Sequence, residues 1–245
     1  MGQSEERSRR MQFEHVGFIT TRKQPGERFV PATRVSVTDY TRHPLRVEWL
    51  RFEPDTPVPD PVRRMPHVGF LVDDIRAAGE KLKVLLEPFD AGPRVVAFYQ
   101  ADDGAVVEFQ QYKDRGGGRK NKAIQSQDDN TNPNGSTNME FDHIGIITTE
   151  KKPGEMYIAP TKVWVTQFMD HPYHIEWLRF EPDTPVTGPV REMPHVAYRV
   201  DDIAAAGAGL KVLIEPFDVG FATVAFFQTD DGAVVEFMTY KEESE

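Results

Sequence analysis

Phe13-Glu14-His15-Val16-Gly17-Phe18-Ile19-Thr20-Thr21 returns, 128 residues on, as Phe141-Asp142-His143-Ile144-Gly145-Ile146-Ile147-Thr148-Thr149. The same offset carries Glu48 to Glu176, His67 to His195 and Glu108 to Glu236, with no insertion or deletion between Phe13 and Lys113. About 60% of the aligned positions are identical, which marks a duplication. The chain therefore reads as a tail (residues 1–10), a first domain (11–113), a linker (114–138) and a second domain (139–243). The tail is expected to be disordered. The linker, rich in Gly, Asn, Lys, Asp, Ser and Gln, is expected to be flexible and, as a coil, to span roughly 25–30 Å.

A fainter repeat lies inside each copy. Glu14-His15-Val16-Gly17-Phe18 is echoed by Pro66-His67-Val68-Gly69-Phe70, and Val47-Glu48-Trp49 by Val107-Glu108-Phe109. Each copy is thus two half-modules, each opening on a histidine strand and closing on a glutamate strand. In the second, His67 to Val72 is rich in strand formers, and Asp73 or Asp74 is placed to cap a helix running through Ala77 to Leu82. Strands follow at Leu85-Leu86, Val95 to Tyr99 and Ala105 to Gln111, with Asp102-Asp103-Gly104 as a hairpin turn. That is β-α-β-β-β. The first half-module has Pro25-Gly26 and Pro31 where a helix would run. A loop is expected there, before strands near Arg34 to Thr38 and Leu45 to Phe52. The fold class is α+β: two tandem domains, each a cupped mixed sheet of paired modules, the first module shortened.

Composition narrows the chemistry. The 245 residues contain no cysteine, so disulfides and thiolate metal sites are excluded and any metal rests on nitrogen and oxygen. A net charge of −10 argues against nonspecific nucleic-acid binding, which needs a basic face. No stretch approaches the ~18 apolar residues of a membrane span, and residues 1–10 lack the apolar core of a signal peptide. The expected compartment is the cytoplasm, and the expected partner is a small-molecule substrate rather than nucleic acid or membrane.

The residues that carry chemistry recur in both copies: His15, Glu48, His67 and Glu108, then His143, Glu176, His195 and Glu236. Strand side chains alternate between faces. Val107 and Phe109 therefore point one way and Val106, Glu108 and Gln110 the other; Glu48 likewise opposes Val47 and Trp49. The apolar side is expected to pack on the helix layer and the glutamates to face the hollow of the sheet. A mid-strand carboxylate there is costly unless it is paired or holds an ion. Two imidazoles and two carboxylates suit Zn, Ni, Co, Mn or Fe as divalent ions, and ligand hardness alone does not choose among them.

This ordered quartet, found twice, resembles the vicinal oxygen chelate superfamily, which includes glyoxalase I, methylmalonyl-CoA epimerase, extradiol dioxygenases and the fosfomycin and bleomycin resistance proteins. The resemblance implies paired β-α-β-β-β modules with a metal in the cup. It also implies a metal-dependent lyase or isomerase that stabilises an enediolate by Lewis-acid action while a glutamate transfers a proton. In that role it points to Glu108 and Glu236 first, then Glu48 and Glu176. Keeping all four ligands is similar to the bacterial glyoxalase I pattern; extradiol dioxygenases and fosfomycin-resistance enzymes use His, His and Glu. The shortened first half-module departs from the family, so glutathione recognition is not carried over. The rival readings are an extradiol-type dioxygenase using Fe²⁺ or Mn²⁺ and a non-catalytic small-molecule binding protein. Sites could form within one copy or, if modules exchange partners, from His15 and Glu48 with His195 and Glu236. A monomer whose two copies mimic a homodimer is expected.

Other residues read more plainly. His43 and His171 precede prolines and read as turn residues, with a pocket-mouth role as the alternative. Asp73-Asp74 and Asp201-Asp202 read as helix caps. Trp49, Trp177, Phe98 and Phe226 read as core. Arg51 and Arg179 read as structural or surface arginines, with an anion-binding role as the alternative. Tyr112 and Tyr240 close the last strands and either cover the site or pack.

Overall fold

In a computed structural model the described residues are 11–113 and 138–241. The chain divides into two compact units at Ser126/Gln127, inside the linker. The expectations for the tail and for 114–137 lie outside the described residues.

Domain 1 contains β1 (Met11–Ile19), β2 (Arg28–Val30), β3 (Val35–Val37), a 3₁₀ turn (Tyr40–Arg42) and β4 (Val47–Phe52). The second half-module is β5 (His67–Val72), α1 (Ile75–Gly79), β6 (Lys83–Asp90), β7 (Arg94–Gln100) and β8 (Val106–Tyr112). One mixed eight-stranded sheet results, in the order β2-β3-β4-β1-β5-β8-β7-β6. β1 runs parallel to β4 and antiparallel to β5, and β5 runs parallel to β8.

Domain 2 repeats this with β9 (Met139–Ile147), β10 (Met156–Ile158), β11 (Val163–Val165), a 3₁₀ turn (Phe168–Asp170) and β12 (Ile175–Phe180). Then come α2 (Pro189–Glu192), β13 (His195–Val200), α3 (Ile203–Ala206), β14 (Lys211–Asp218), β15 (Ala222–Gln228) and β16 (Val234–Tyr240). The order is β10-β11-β12-β9-β13-β16-β15-β14. Laid flat, eight strands would hold their edges roughly 34 Å apart. Yet Met156 and Ile158 of β10 and Ile214 and Phe217 of β14 line one cavity. The sheet is therefore curled, and its hollow holds that cavity.

The expected helix is present but shorter and earlier, Ile75–Gly79 instead of Ala77–Leu82. Asp74 caps it, its carboxylate accepting from the Arg76 and Ala77 amides at 2.8 and 3.1 Å. Gly79 ends it against Tyr99: a Cβ there would lie 2.2 Å from the Tyr99 ring. This packs α1 on the outer face, where Phe109 also lies, centroid 5.4 Å from Tyr99. The helix layer thus covers the apolar side as expected. The first half-module lacks a helix, also as expected, but adds strand β2, too short at three residues to leave a readable alternation. β4 begins at Val47 and not Leu45 because Arg46 takes φ 49°, a left-handed conformation that interrupts extended backbone. His174 takes φ 52° at the matching place, so that position is a turn shared by both copies. Among the described residues no helix is long and apolar enough to cross a membrane.

Candidate metal centres

The four middle strands of each sheet carry one candidate ligand each. In domain 1, Gly17 of β1 stands opposite both Glu48 of β4 and His67 of β5. Gly69 of β5 stands opposite both His15 of β1 and Glu108 of β8. Cross-strand partners share a face, so these two rows place all four functional side chains in the hollow. The glycines between them make the room. A Cβ on Gly17 would lie 1.9 Å from the His67 ring, and one on Gly69 would lie 2.3 Å from the His15 ring. Each imidazole lies across the glycine of the neighbouring strand, which explains the His-x-Gly spacing physically.

Domain 2 repeats the first row, with Gly145 between Glu176 and His195. The second row differs: Ala197 replaces Gly69 between His143 and Glu236.

In domain 1 one ligand atom from each of His15, Glu48, His67 and Glu108 lies within 4.8 Å of the others. Glu108 Oε2 is 3.5 Å from His15 Nε2 and 3.1 Å from His67 Nε2, and Glu48 Oε2 is 3.9 Å from His15 Nε2. In domain 2 His143, Glu176 and His195 converge in the same way. Glu236 Oε2 stands 3.4 Å from His143 Nε2 and 3.1 Å from His195 Nε2. Each quartet is completed within its own copy. All four histidines are buried. In domain 1 the converging His15 Nε2 and His67 Nε2 face each other at 3.3 Å while their Nδ1 atoms have no partner. In domain 2 His143 Nε2 and both nitrogens of His195 have no well-formed hydrogen bond. Buried polar atoms normally have partners. Imidazole Nε2 atoms gathered in this way beside carboxylates fit a divalent cation: two neutral imidazoles and two carboxylates balance its charge. Each domain therefore has a His/Glu cluster able to hold a metal.

The local electrostatics agree. Burial pushes Glu48 and Glu176 up to about 7. Burial opposes ionisation of Glu108 and Glu236 too, but the facing histidines outweigh it: Glu108 is held well below the usual carboxylate range and Glu236 at about 2. Burial likewise opposes charge on His143, yet the bond to Asp142 and the facing Glu236 and Glu176 carboxylates raise it to about 10. His67 and His195 are lowered by burial. Without a cation, then, each cage holds one charged carboxyl and one that is about half protonated near pH 7.

Glu14 and Asp142 were not foreseen as site residues. Each is the extra residue of a β-bulge: pairing jumps from Phe13 to His15 and from Phe141 to His143. The bulge breaks the alternation and lets two consecutive side chains reach the hollow. His143 Nδ1 donates to Asp142 Oδ1 at 2.8 Å, and Tyr240 donates to Asp142 Oδ2 at 2.9 Å. This orients the ring with Nε2 toward Glu176 and Glu236. Glu14 instead accepts from Arg94 Nη1 at 2.9 Å and from Tyr40 Oη at 3.1 Å. Arg94 also donates to Tyr40, Gln110 and Tyr112. Gln110 Nε2 in turn donates to Glu108 Oε1 at 2.6 Å. Tyr40 stacks on His15, centroids 4.3 Å apart, as Phe168 does on His143 at 4.1 Å. The only sequence signal for Glu14 and Asp142 is an acidic residue before the first histidine of both copies.

The remaining candidates resolve simply. His43 Nδ1 accepts from the Leu45 amide and His171 Nδ1 from the Tyr173 amide, both as turn residues. Arg51 pairs with Glu27 and Arg179 with Glu155, both structural. Phe98 and Phe226 are core but also pack edge-on against His67 and His195, at 5.1 and 5.2 Å. Tyr112 and Tyr240 both bond to the polar groups around the site.

No protein-family model and no curated protein matches the chain. Solved structures similar to it include the Mn(II)-bound glyoxalase from Novosphingobium aromaticivorans, at 15% identity and TM-score 0.46, covering 96% of this chain and 84% of that one. Glyoxalase I from Zea mays is similar at 15% identity and TM-score 0.32, covering 94% and 92%. The 2,2',3-trihydroxybiphenyl 1,2-dioxygenase from Sphingomonas wittichii strain RW1 is similar at 11% identity and TM-score 0.45, covering 94% and 90%.

Proposed function

We propose that each domain is a metal-dependent lyase or isomerase of the glyoxalase type, acting on a small molecule with oxygens on adjacent carbons. The observation that carries this reading is the convergence of two imidazole Nε2 atoms and glutamate oxygens in a buried hollow of each domain. His15, Glu48, His67 and Glu108 would hold the ion in domain 1; His143, Glu176, His195 and Glu236 would hold it in domain 2. A divalent ion bound there supplies a Lewis acid that polarises a substrate oxygen.

The chain's own residues do the rest. The hollow shields the reacting carbons from bulk water. One glutamate takes a proton from the hydroxyl-bearing carbon beside a carbonyl, and the electron pair of that C–H bond moves toward the carbonyl oxygen. The hydroxyl proton passes to that oxygen, and the same carboxyl returns its proton to the former carbonyl carbon, so that hydroxyl and carbonyl exchange places. The family resemblance points to Glu108 and Glu236 for this role. Exposure supports Glu48 and Glu176 instead: their side chains are 16% and 14% exposed, against 5% and 8% for Glu108 and Glu236. Glu108 is also held by Gln110, which suits a ligand better than a proton carrier.

Elemental analysis of the purified chain, after exposure to Zn²⁺, Mn²⁺, Ni²⁺, Co²⁺ or Fe²⁺ and dialysis, tests the cage. Two tightly held ions per chain are expected, and none after every exposure sinks the reading. Proton transfer is tested by solvent deuterium entering the carbon-bound positions of hydroxyacetone or 2-hydroxyacetophenone. A Glu48→Gln/Glu176→Gln chain is expected to lose that exchange.

One observation favours a second reading, for both domains alike. Glu108 stands 3.5 and 3.1 Å from the two histidines while Glu48 stands 3.9 Å from His15, and Glu236 stands at 3.4 and 3.1 Å while Glu176 stands 3.6 Å from His143, giving a His, His, Glu subset of the extradiol type. Oxygen uptake with catechol on the Fe²⁺-loaded chain would favour that reading. Ligand binding with no turnover in either assay would favour a binding protein.

A further inference from the structure

We infer that the site of domain 2, and not that of domain 1, takes an uncharged substrate whose apolar body is about one ring in size, its oxygens directed at His143, Glu176 and Glu236. This rests on the reading of the quartets as metal cages and adds the substrate class.

The first observation is a cavity of about 150 Å³ within domain 2, with those three residues at its polar end. Apart from Thr161, Thr166 and Gln167, its other walls are apolar. That volume matches a benzene-sized guest.

The second observation is the direction of the exchanges between the copies. Arg28, Tyr40, Pro93, Arg94 and Gln110 of domain 1 become Met156, Phe168, Phe221, Ala222 and Met238. Each exchange removes a charge or a hydrogen-bonding group, or adds a ring. In domain 1 the Arg94 guanidinium lies among Glu14, Tyr40 and Gln110. The counterparts Phe168 and Met238 are walls of the cavity, so a long cationic side chain at position 222 would run through it. Ala222 stops at Cβ and leaves the space open. Met156 and Phe221 also line the cavity and are 50% and 44% exposed, so its mouth is apolar as well. A charged substrate body would lose its hydration there without a partner, and an anionic one would meet two carboxylates at the far end.

The test is a titration of the full chain with 2-hydroxyacetophenone, a neutral ring bearing a carbonyl and a hydroxyl on adjacent carbons. Methionine methyl groups carrying ¹³C are followed by NMR, once with the chain loaded with Zn²⁺ and once with it stripped of metal. The Met156 and Met238 methyls are expected to shift, while Met65, packed on the corresponding cluster of domain 1, stays still. Hydroxyacetone, which lacks the ring, is expected to bind at least tenfold more weakly. Ala222→Arg is expected to weaken binding of the ring compound at least tenfold. Met238→Gln, a gentler change to the fold, is measured beside it and is expected to act in the same direction. Equal shifts at Met65, no shift in either form up to the solubility limit, or affinity untouched by both variants overturns the inference. Binding by a chain that takes up no metal would sustain the cavity and refute the cage. Metal uptake without binding of the ring compound would do the opposite.

Discussion

The two domains hold the same four ligand types on the same four middle strands, yet approach them differently. Domain 1 sets a guanidinium, a phenol and an amide around His15 and Glu108; domain 2 sets a phenyl ring, a methyl group and a thioether around His143 and Glu236. The middle of the sheet fixes where the His/Glu cluster sits, through cross-strand register and the small residues between the ligands. The flanking strands and the 3₁₀ turn surround it with different side chains. On the function proposed above, ligation and selectivity would be carried by separable parts of one sheet.

The strongest way to break the comparison is to remove one cage. His143→Ala should lower the metal content from two ions per chain to one, and His15→Ala should do the same from the other side. Elemental analysis of each variant reads this directly, and loss of both ions from a single substitution would show that the domains are not independent.

A second-layer substitution sharpens it. Asp142→Asn should weaken metal binding in domain 2 by about 10–100-fold, because the His143 ring loses its anchor. Glu14→Gln should change domain 1 much less, since Glu14 faces Arg94 and Tyr40 and not His15. Competition with a chromophoric chelator measures both; equal losses would erase the distinction drawn here.

A smaller effect is expected from pH. Glu48 and Glu176 titrate near 7 in the metal-free cages. Below that value each is neutral and must lose a proton to bind a cation, which weakens affinity by about tenfold per pH unit as pH drops below 7. Above it the dependence on these groups should vanish, while His143, raised to about 10, must also lose a proton and adds about a further tenfold per unit to domain 2. Calorimetry in buffers of different ionisation enthalpy would count the protons released, and none released at pH 6 would contradict the assignment.

A last effect is read in stability, at Gly69. Gly69→Ala should cost domain 1 about 1–3 kcal/mol, the usual range for overpacking, because the new Cβ would lie 2.3 Å from the buried His15 ring, whereas Ala197 is tolerated where Asp142 holds the histidine from the acidic side. Adding Glu14→Asp should recover part of that loss in chemical denaturation. No recovery would mean that the Asp142–His143 bond is not what accommodates Ala197.

The duplication explains what was legible. Whatever both copies share stood out: the eight ligand positions, the capping aspartates, the β-α-β-β-β order of the second half-module. Arg94, Tyr40 and Gln110 did not, because a search for sameness passes over positions where the copies disagree, and those positions shape the approach. Glu14 and Asp142 were hidden for a different reason. Strict alternation sends the neighbour of an inward histidine outward, and only the bulge overturns that rule. The shift of β4 from Leu45 to Val47 depended on a left-handed turn at Arg46, whose side chain offers no hint of it.

In each cage one His and one Glu come from the first half-module and one of each from the second, meeting across the antiparallel seam between β1 and β5, or β9 and β13. A cation seated there would act as a clasp between the two halves of a domain, closing a loop of chain that backbone pairing alone leaves to a single strand junction. Occupancy would then be read in mechanical terms too: the seam, rather than the sheet edges, is where a domain emptied of its ion should first come apart.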